Sequence, residues 1–119
     1  MEISINTRMY TYKAKVIRIV DGDTIEVILD LGMSISVKTK LRLAEIDTPE
    51  TYRPISEAER THGEAATAFV SDLILDKVII VRTEKTGKYG RYIAHVELPD
   101  GRDLTTMLVE NGFEKRSSY

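Results

Sequence analysis

Apolar and polar residues alternate with a period of two over much of the first forty-odd positions, the spacing of half-buried β-strands. Tyr12 to Val20 is rich in branched side chains and reads as a strand. Its alternation changes phase at Val16–Ile17, which predicts a bulge or cover on both faces. Asp21-Gly22-Asp23 is a turn signal, and Thr24 to Leu29 follows with Ile25, Val27 and Leu29 on one face. After a second turn at Asp30-Leu31-Gly32, Met33 to Leu43 forms the clearest alternation in the chain. Met33, Ile35, Val37, Leu41 and Leu43 point one way with Thr39 in phase. Ser34, Ser36, Lys38, Lys40 and Arg42 point the other way. Short turns between the three runs predict an antiparallel meander.

The period then lengthens. Pro49 lacks an N–H and biases Thr48 toward extended backbone, so Asp47 to Pro54 reads as a loop. Ser56-Glu57-Ala58-Glu59 fits a capping box, with a start nearer His62 as the alternative. Ala65, Ala66, Phe69, Val70, Leu73 and Ile74 make a helical stripe. Lys77 to Thr83 and Arg91 to Leu98 read as further strands, the latter with Tyr92, Ala94, Val96 and Leu98 facing inward, separated by a polar loop from Glu84 to Gly90. Asp100-Gly101 turns the chain into a short helix over Leu104 to Asn111, closed by Gly112 in a left-handed cap. The residues beyond Gly112 are expected to be loop or frayed end. Five strands with a helix between the third and fourth predict an α+β fold, a small closed or partly closed β-barrel with helices. Closure removes the exposed edges of so small a sheet.

Composition narrows the class. The chain has 119 residues, 42% apolar and 30% charged, which suits one globular domain. It has no Cys, so disulfides and thiolate metal sites are excluded. No apolar run reaches the ~18 residues of a membrane-spanning helix. The mixed polar start lacks the pattern of a secretory signal. The expectation is a cytoplasmic protein without a membrane partner, or a secreted one if the chain is a mature fragment. The net charge of −2 lacks the usual basic surplus of nucleic-acid binders, although a bound cation supplies positive charge that the formal count omits.

Three clusters carry candidate chemistry. Asp21 and Asp23 flank Gly22, and in such a turn at most one is expected to enter a site while the other caps the turn. Asp47 ends the longest strand pattern and Glu50 follows across rigid Pro49. Carboxylates fixed in this way, with the carbonyl of Thr48, suit a hard cation such as calcium or magnesium. Taken singly, each cluster has an ordinary reading. Asp-Gly-Asp-Thr is a hairpin turn, Asp-Thr-Pro-Glu is a capped loop, Arg42 is a solvated strand residue, and Tyr89-Gly90-Arg91 is a turn entering a strand. His62 reads as a cap and His95 as an exposed strand residue. Two separated histidines do not support zinc.

Together, Val20-Asp21-Gly22-Asp23-Thr24, Arg42-Leu43-Ala44-Glu45-Ile46-Asp47-Thr48-Pro49-Glu50 and Lys88-Tyr89-Gly90-Arg91 resemble the motifs of the thermonuclease (staphylococcal nuclease-like) family. The likeness continues through His62-Gly63-Glu64-Ala65 and Leu108 to Gly112, in order and spacing, over roughly Lys15 to Gly112. The resemblance implies a five-stranded oligonucleotide-binding-type (OB-type) barrel. It also implies calcium-dependent hydrolysis of DNA and RNA, single strands favoured, at the bond from phosphorus to the 5′ oxygen, leaving 3′-phosphate ends. Carried over by motif, Asp23, Asp47 and the Thr48 carbonyl hold calcium, Glu50 orients or deprotonates water, and Arg42 and Arg91 grip the phosphate. Tyr89 matches a nucleotide-site tyrosine, and Lys85 and Lys88 are candidate substrate contacts.

The chain departs from the pattern in three places. Glu45 replaces a small or apolar residue, Gly87 replaces an aspartate, and the final helix is shortened or missing. The last departure implies lower stability or a homodimer that covers the exposed barrel face, against a simple monomer. Two further readings stay open, a catalytically inactive single-stranded nucleic-acid-binding module and a structural or protein-interaction domain.

Overall fold

The structure, a computed structural model, describes residues 10–86 and 91–119, and the side chains of Lys85 and Thr86 lie outside the description. Its elements are β1 (Thr11–Asp21), β2 (Thr24–Asp30), β3 (Ser36–Leu43), α1 (Glu57–Ile74), β4 (Val78–Thr86), β5 (Tyr92–Glu97) and α2 (Leu104–Glu110). The five strands close into a barrel in the order β1-β2-β3-β5-β4. β1, β2 and β3 form the antiparallel meander, and β5 joins β3 in parallel. Every strand thereby gains two neighbours, which removes the exposed edges. The closed barrel is the one expected from the alternation and the helix placement, and it agrees with the OB-type architecture that the family resemblance implies.

The bulge in β1 is real. Val16 faces Val27 but Arg18 faces Glu26, so Ile17 is the extra residue. The inward residues Val16, Ile25, Val27, Leu41, Leu43, Ile79, Val81, Ala94 and Val96 are buried, joined by Val70 and Ile74 from α1 and Leu104 and Leu108 from α2. Fully burying each such side chain contributes about 1.5–3 kcal/mol for the larger apolar residues.

Four local readings are corrected. The strand expected from Met33 begins only at Ser36, because Gly32, Met33 and Ser34 all adopt left-handed backbone (φ 80°, 53° and 62°) in the turn. The β2–β3 hairpin projects, leaving Met33 93% and Ile35 55% exposed, so the period-two pattern there lacks a core to face. Tyr92, at the start of β5, is exposed rather than inward. Helix α1 starts at Glu57 with Ser56 as N-cap, so His62 lies inside the helix and is no cap. The capping box is half formed. Ser56 Oγ accepts from Glu59 N at 3.2 Å, but the Glu59 carboxylate accepts from Ile55 N at 2.8 Å rather than from Ser56.

The tail after α2 has no regular structure, yet it is anchored. Gly112 takes the expected left-handed conformation (φ 79°), and Phe113 N bonds Leu108 O at 3.0 Å. His62 Nδ1 and Nε2 lie 2.7 Å from Tyr119 Oη and 2.7 Å from the Gly112 carbonyl. The carbonyl can only accept, so Nε2 carries a proton in this arrangement and the phenol lies on Nδ1.

Candidate active site

The site is assembled where the ends of β1, β3 and β5 meet the loop that leads to α1. A cleft of about 1630 Å³ opens there, and Asp21, Asp23, Arg42, Asp47, Glu50 and Arg91 are among its walls. Register explains the meeting. Asp21 pairs with Thr24 across the first hairpin, Thr24 pairs with Arg42, and Arg42 pairs with Ile93, placing the start of β5 beside the hairpin.

Asp23 is the hub. Its Oδ2 accepts the Thr48 backbone N–H at 3.0 Å and lies 3.5 Å from Arg42 Nη2. Its Oδ1 accepts from Thr24 Oγ1 at 3.1 Å. The same threonine hydroxyl accepts from Arg91 Nη1 at 3.2 Å, so one hydroxyl links the second arginine to the first carboxylate. Arg42 is held from behind. Its Nη1 donates to the carbonyls of Leu43 and Ile46 at 2.7 and 2.6 Å, and its Nη2 also pairs with Asp47. The outward phase of Arg42 on β3 therefore leads into a lined cleft rather than bulk solvent.

Both aspartates of the hairpin turn toward this cleft, which corrects the expectation that one would cap the turn. Asp21 Oδ1 accepts from Thr51 Oγ1 at 2.5 Å. Gly22 permits the approach, since a Cβ there would meet Ala66 Cβ and Thr48 Cγ2 at 3.0 Å. Burial raises the Asp21 pKa above the ordinary carboxylate value, and the Asp23 charge adds to the rise against the Thr51 hydrogen bond. Glu50 is likewise raised, first by burial and then by Asp21, with Lys115 opposing. The Asp23 charge thus burdens Asp21, and both aspartates burden Glu50.

The donor chemistry fits a hard cation, because among the described residues the cleft is lined by carboxylate oxygens and by no sulfur or imidazole ligand. Among the described residues no three carboxylate or histidine side chains converge as a ready cage. An ion here would draw on two aspartates, with a backbone carbonyl and water completing its shell.

Several participants escaped the sequence reading. Thr24 stands in the first family motif and Glu59 in the capping box, but the roles of Thr24, Thr51, Glu59 and Lys115 show only in their partners across the fold. Lys115 N donates to the Asp47 carbonyl at 2.7 Å, so the expected frayed tail instead supports the loop. Glu45 has left-handed backbone (φ 64°) and lines the cleft. His95 is partly buried rather than exposed, with Nε2 2.9 Å from Glu84 Oε1. Lys88, Tyr89 and Gly87, and the side chain of Lys85, lie outside the described residues.

A family profile described as "Staphylococcal nuclease homologue" matches residues 40–118, which include Arg42, Asp47, Thr48, Glu50 and Arg91. The chain belongs to the staphylococcal nuclease family. The thermonuclease of Staphylococcus hyicus is 32% identical over 117 residues, covering 96% of this chain and 63% of that protein. An Escherichia coli protein named an uncharacterized endonuclease is 31% identical over 98 residues, 82% of this chain and 56% of its own length. Endonuclease YhcR of Bacillus subtilis is 32% identical over 109 residues, 86% of this chain but 9% of that protein. The chain thus spans about half of the Escherichia coli relative and a small part of the Bacillus one.

Proposed function

We propose that this chain is a calcium-dependent nuclease that hydrolyses DNA and RNA at the bond between phosphorus and the 5′ oxygen, leaving 3′-phosphate ends. The observation that carries the reading is the convergence on Arg42. One guanidinium nitrogen reaches both Asp23 and Asp47, so two cation-ligand candidates and a phosphate-binding donor share one small volume. Relatives named as endonucleases and a thermonuclease support the same reaction class.

Asp23, Asp47 and the Thr48 carbonyl are the residues that would hold calcium. When bound, the ion supplies Lewis-acid charge to a phosphoryl oxygen and to water. The remaining work falls to side chains of this chain. A phosphodiester carries one negative charge and attack adds a second on its equatorial oxygens. Arg42, already tied to the carbonyls of Leu43 and Ile46, meets that charge with little reorganisation. Arg91 supplies the second guanidinium, whose fork matches phosphate. Glu50 orients the water and takes its proton. Its raised pKa makes it a stronger base than an ordinary glutamate. The water oxygen bonds to phosphorus, the bond to the 5′ oxygen breaks, and that oxygen takes a proton from solvent.

Single strands are the favoured substrate, because a flexible backbone can bring one phosphate into a concave cleft. Lys85, Lys88 and Tyr89 remain the proposed outer contacts, for phosphate and base respectively.

Digestion of plasmid and heat-denatured DNA with calcium, then with chelator, tests the reading. Asp23→Ala and Arg42→Ala proteins run alongside exclude a contaminant. The expected result is cleavage that needs calcium and collapses in both variants. Undiminished product from both variants overturns the assignment, and binding without product favours the inactive module.

A further inference from the structure

Glu59 presents a problem that the proposed chemistry does not absorb. It sits in the first turn of α1 with 0% of its surface exposed. A buried carboxylate is costly unless it is paired and hydrogen-bonded, and packing alone would be served as well by an apolar side chain. Its partners show what the charge is for. Oε1 accepts the Ile55 N–H at 2.8 Å. Oε2 accepts the Glu50 N–H at 3.4 Å and pairs with Lys115 Nζ at 3.4 Å.

These partners lie at both ends of the segment from Glu50 to Ile55, which contains no helix or strand. One carboxylate therefore closes that loop upon the helix. The rest of the backbone around Glu50 is pinned from other sides. Thr48 N is held by Asp23, and the Asp47 carbonyl by Lys115 N. Lys115 consequently grips the loop twice, through its own backbone and through Glu59. The hydrogen bond from Ile55, opposed by burial and aided by Glu50 N–H and Lys115, holds the Glu59 carboxyl below the usual glutamate range, so it is ionised when neutral-pH chemistry takes place.

We propose that Glu59, with Lys115 as its counter-charge, is the positioning residue that fixes the backbone of Glu50 and so sets where the Glu50 carboxylate stands over the cleft. The inference rests on the proposed role of Glu50 in activating water. Glu59 itself touches neither the substrate nor the water. A carboxylate is suited to this task because it accepts from two N–H groups and a cation at once. A glutamine of the same shape turns an N–H₂ toward one of those donors.

Hydrogen exchange and steady-state kinetics on the whole chain test this together, with Glu59→Gln, Lys115→Met and, as control, Glu57→Gln on the exposed side of the same turn. In Glu59→Gln the amides of Glu50 and Ile55 should exchange about tenfold faster or more. The kcat on denatured DNA should fall about tenfold to a hundredfold, as displacement of a reacting group does, with KM within about twofold. Lys115→Met should move the same amides and kcat in the same direction by less, and it carries the test if circular dichroism shows Glu59→Gln unfolded. Glu57→Gln should match the wild type.

Unchanged exchange at Glu50 and Ile55 overturns the proposal, and so does faster exchange with unchanged kcat, or equal losses in Glu57→Gln. If the wild-type protein cleaves nothing with calcium, the nuclease reading fails by that result. The exchange data then decide independently whether Glu59 holds the loop.

Discussion

The Thr48 backbone N–H donates to Asp23 Oδ2 at 3.0 Å, joining the β1–β2 hairpin to the loop that follows β3. Asp23 therefore has two duties that substitution can separate. Asparagine keeps an oxygen for the Thr48 N–H, whereas alanine leaves that N–H without its acceptor. Asp23→Ala should lose about 1–3 kcal/mol of stability, while Asp23→Asn should unfold near the wild-type midpoint. Both should need more than about tenfold more calcium for half-maximal cleavage, the range seen even for groups that only support a metal's ligands. Urea melts and calcium titrations read the two effects separately, and equal melts for the two variants would show that the hydrogen bond contributes nothing.

Arg42 is set by the carbonyls behind it as much as by the acids in front. Lysine retains the charge but cannot donate to Leu43, Ile46 and a phosphate oxygen in one plane. Arg42→Lys is expected to lose about a hundredfold to a thousandfold in kcat, the range for removal of one oriented donor, with a smaller change in KM. A loss confined to KM would instead place the arginine in ground-state binding.

Gly63 lets α1 lie directly against the loop backbone. A Cβ at this position would stand 2.7 Å from the Pro49 carbonyl oxygen, 2.9 Å from Thr51 Cγ2 and 3.0 Å from the Glu50 carbonyl oxygen. Alanine in place of glycine normally favours a helix by up to about 1 kcal/mol. Here the overlap should win, with a net loss of about 1–3 kcal/mol and a fall in kcat as Glu50 is displaced. Thermal melts and cleavage rates of Gly63→Ala check both, and a more stable, fully active variant would refute the close approach.

Asp21 gives a pH dependence of definite sign. Its folded-state pKa is raised by burial and by Asp23, so the folded protein binds its proton more tightly than the unfolded chain does. Stability from this group is present below the unfolded value, near 3.8, and is lost as pH rises through the folded value. In chelator at neutral pH, Asp21→Asn should therefore melt higher than the wild type, its amide oxygen still accepting from Thr51. The difference should shrink as pH is lowered past that window. A stabilisation that persists unchanged at low pH would exclude the electrostatic cause.

Phosphate contact should dominate substrate affinity, so log Kd for an oligonucleotide should rise steeply and linearly with log salt. Base composition should matter little, because the arginine contacts proposed here read phosphate and not base edges. Fluorescence anisotropy at several salt concentrations measures this directly, and a flat response would contradict it.

How much was legible varied with the kind of signal. The strand period placed β1, β2 and β5 to within a residue or two, because one face of each meets a core. It failed at Met33 and Ile35, whose alternation continues past the barrel wall into a projecting turn. The motif aspartates and arginines were visible as letters. Their pairings across the fold were not. The phase of Arg42 alone suits a solvated residue, and nothing local marks Glu59 as more than a capping-box glutamate.

The chain's own order of residues determined the alternation that makes five strands, the proline that keeps the loop before α1 out of the sheet, the serine cap of α1 and the family motifs, since each depends on contacts within a few positions. Only tertiary structure decided that Asp21 and Asp23 both face the cleft, that Thr24 bridges Arg91 to Asp23, and that Lys115 and Glu59 close on the Glu50 loop. Those pairings link residues from Asp23 to Lys115. A carboxylate's neighbours across such separations depend on barrel closure and strand register, which local periodicity does not encode.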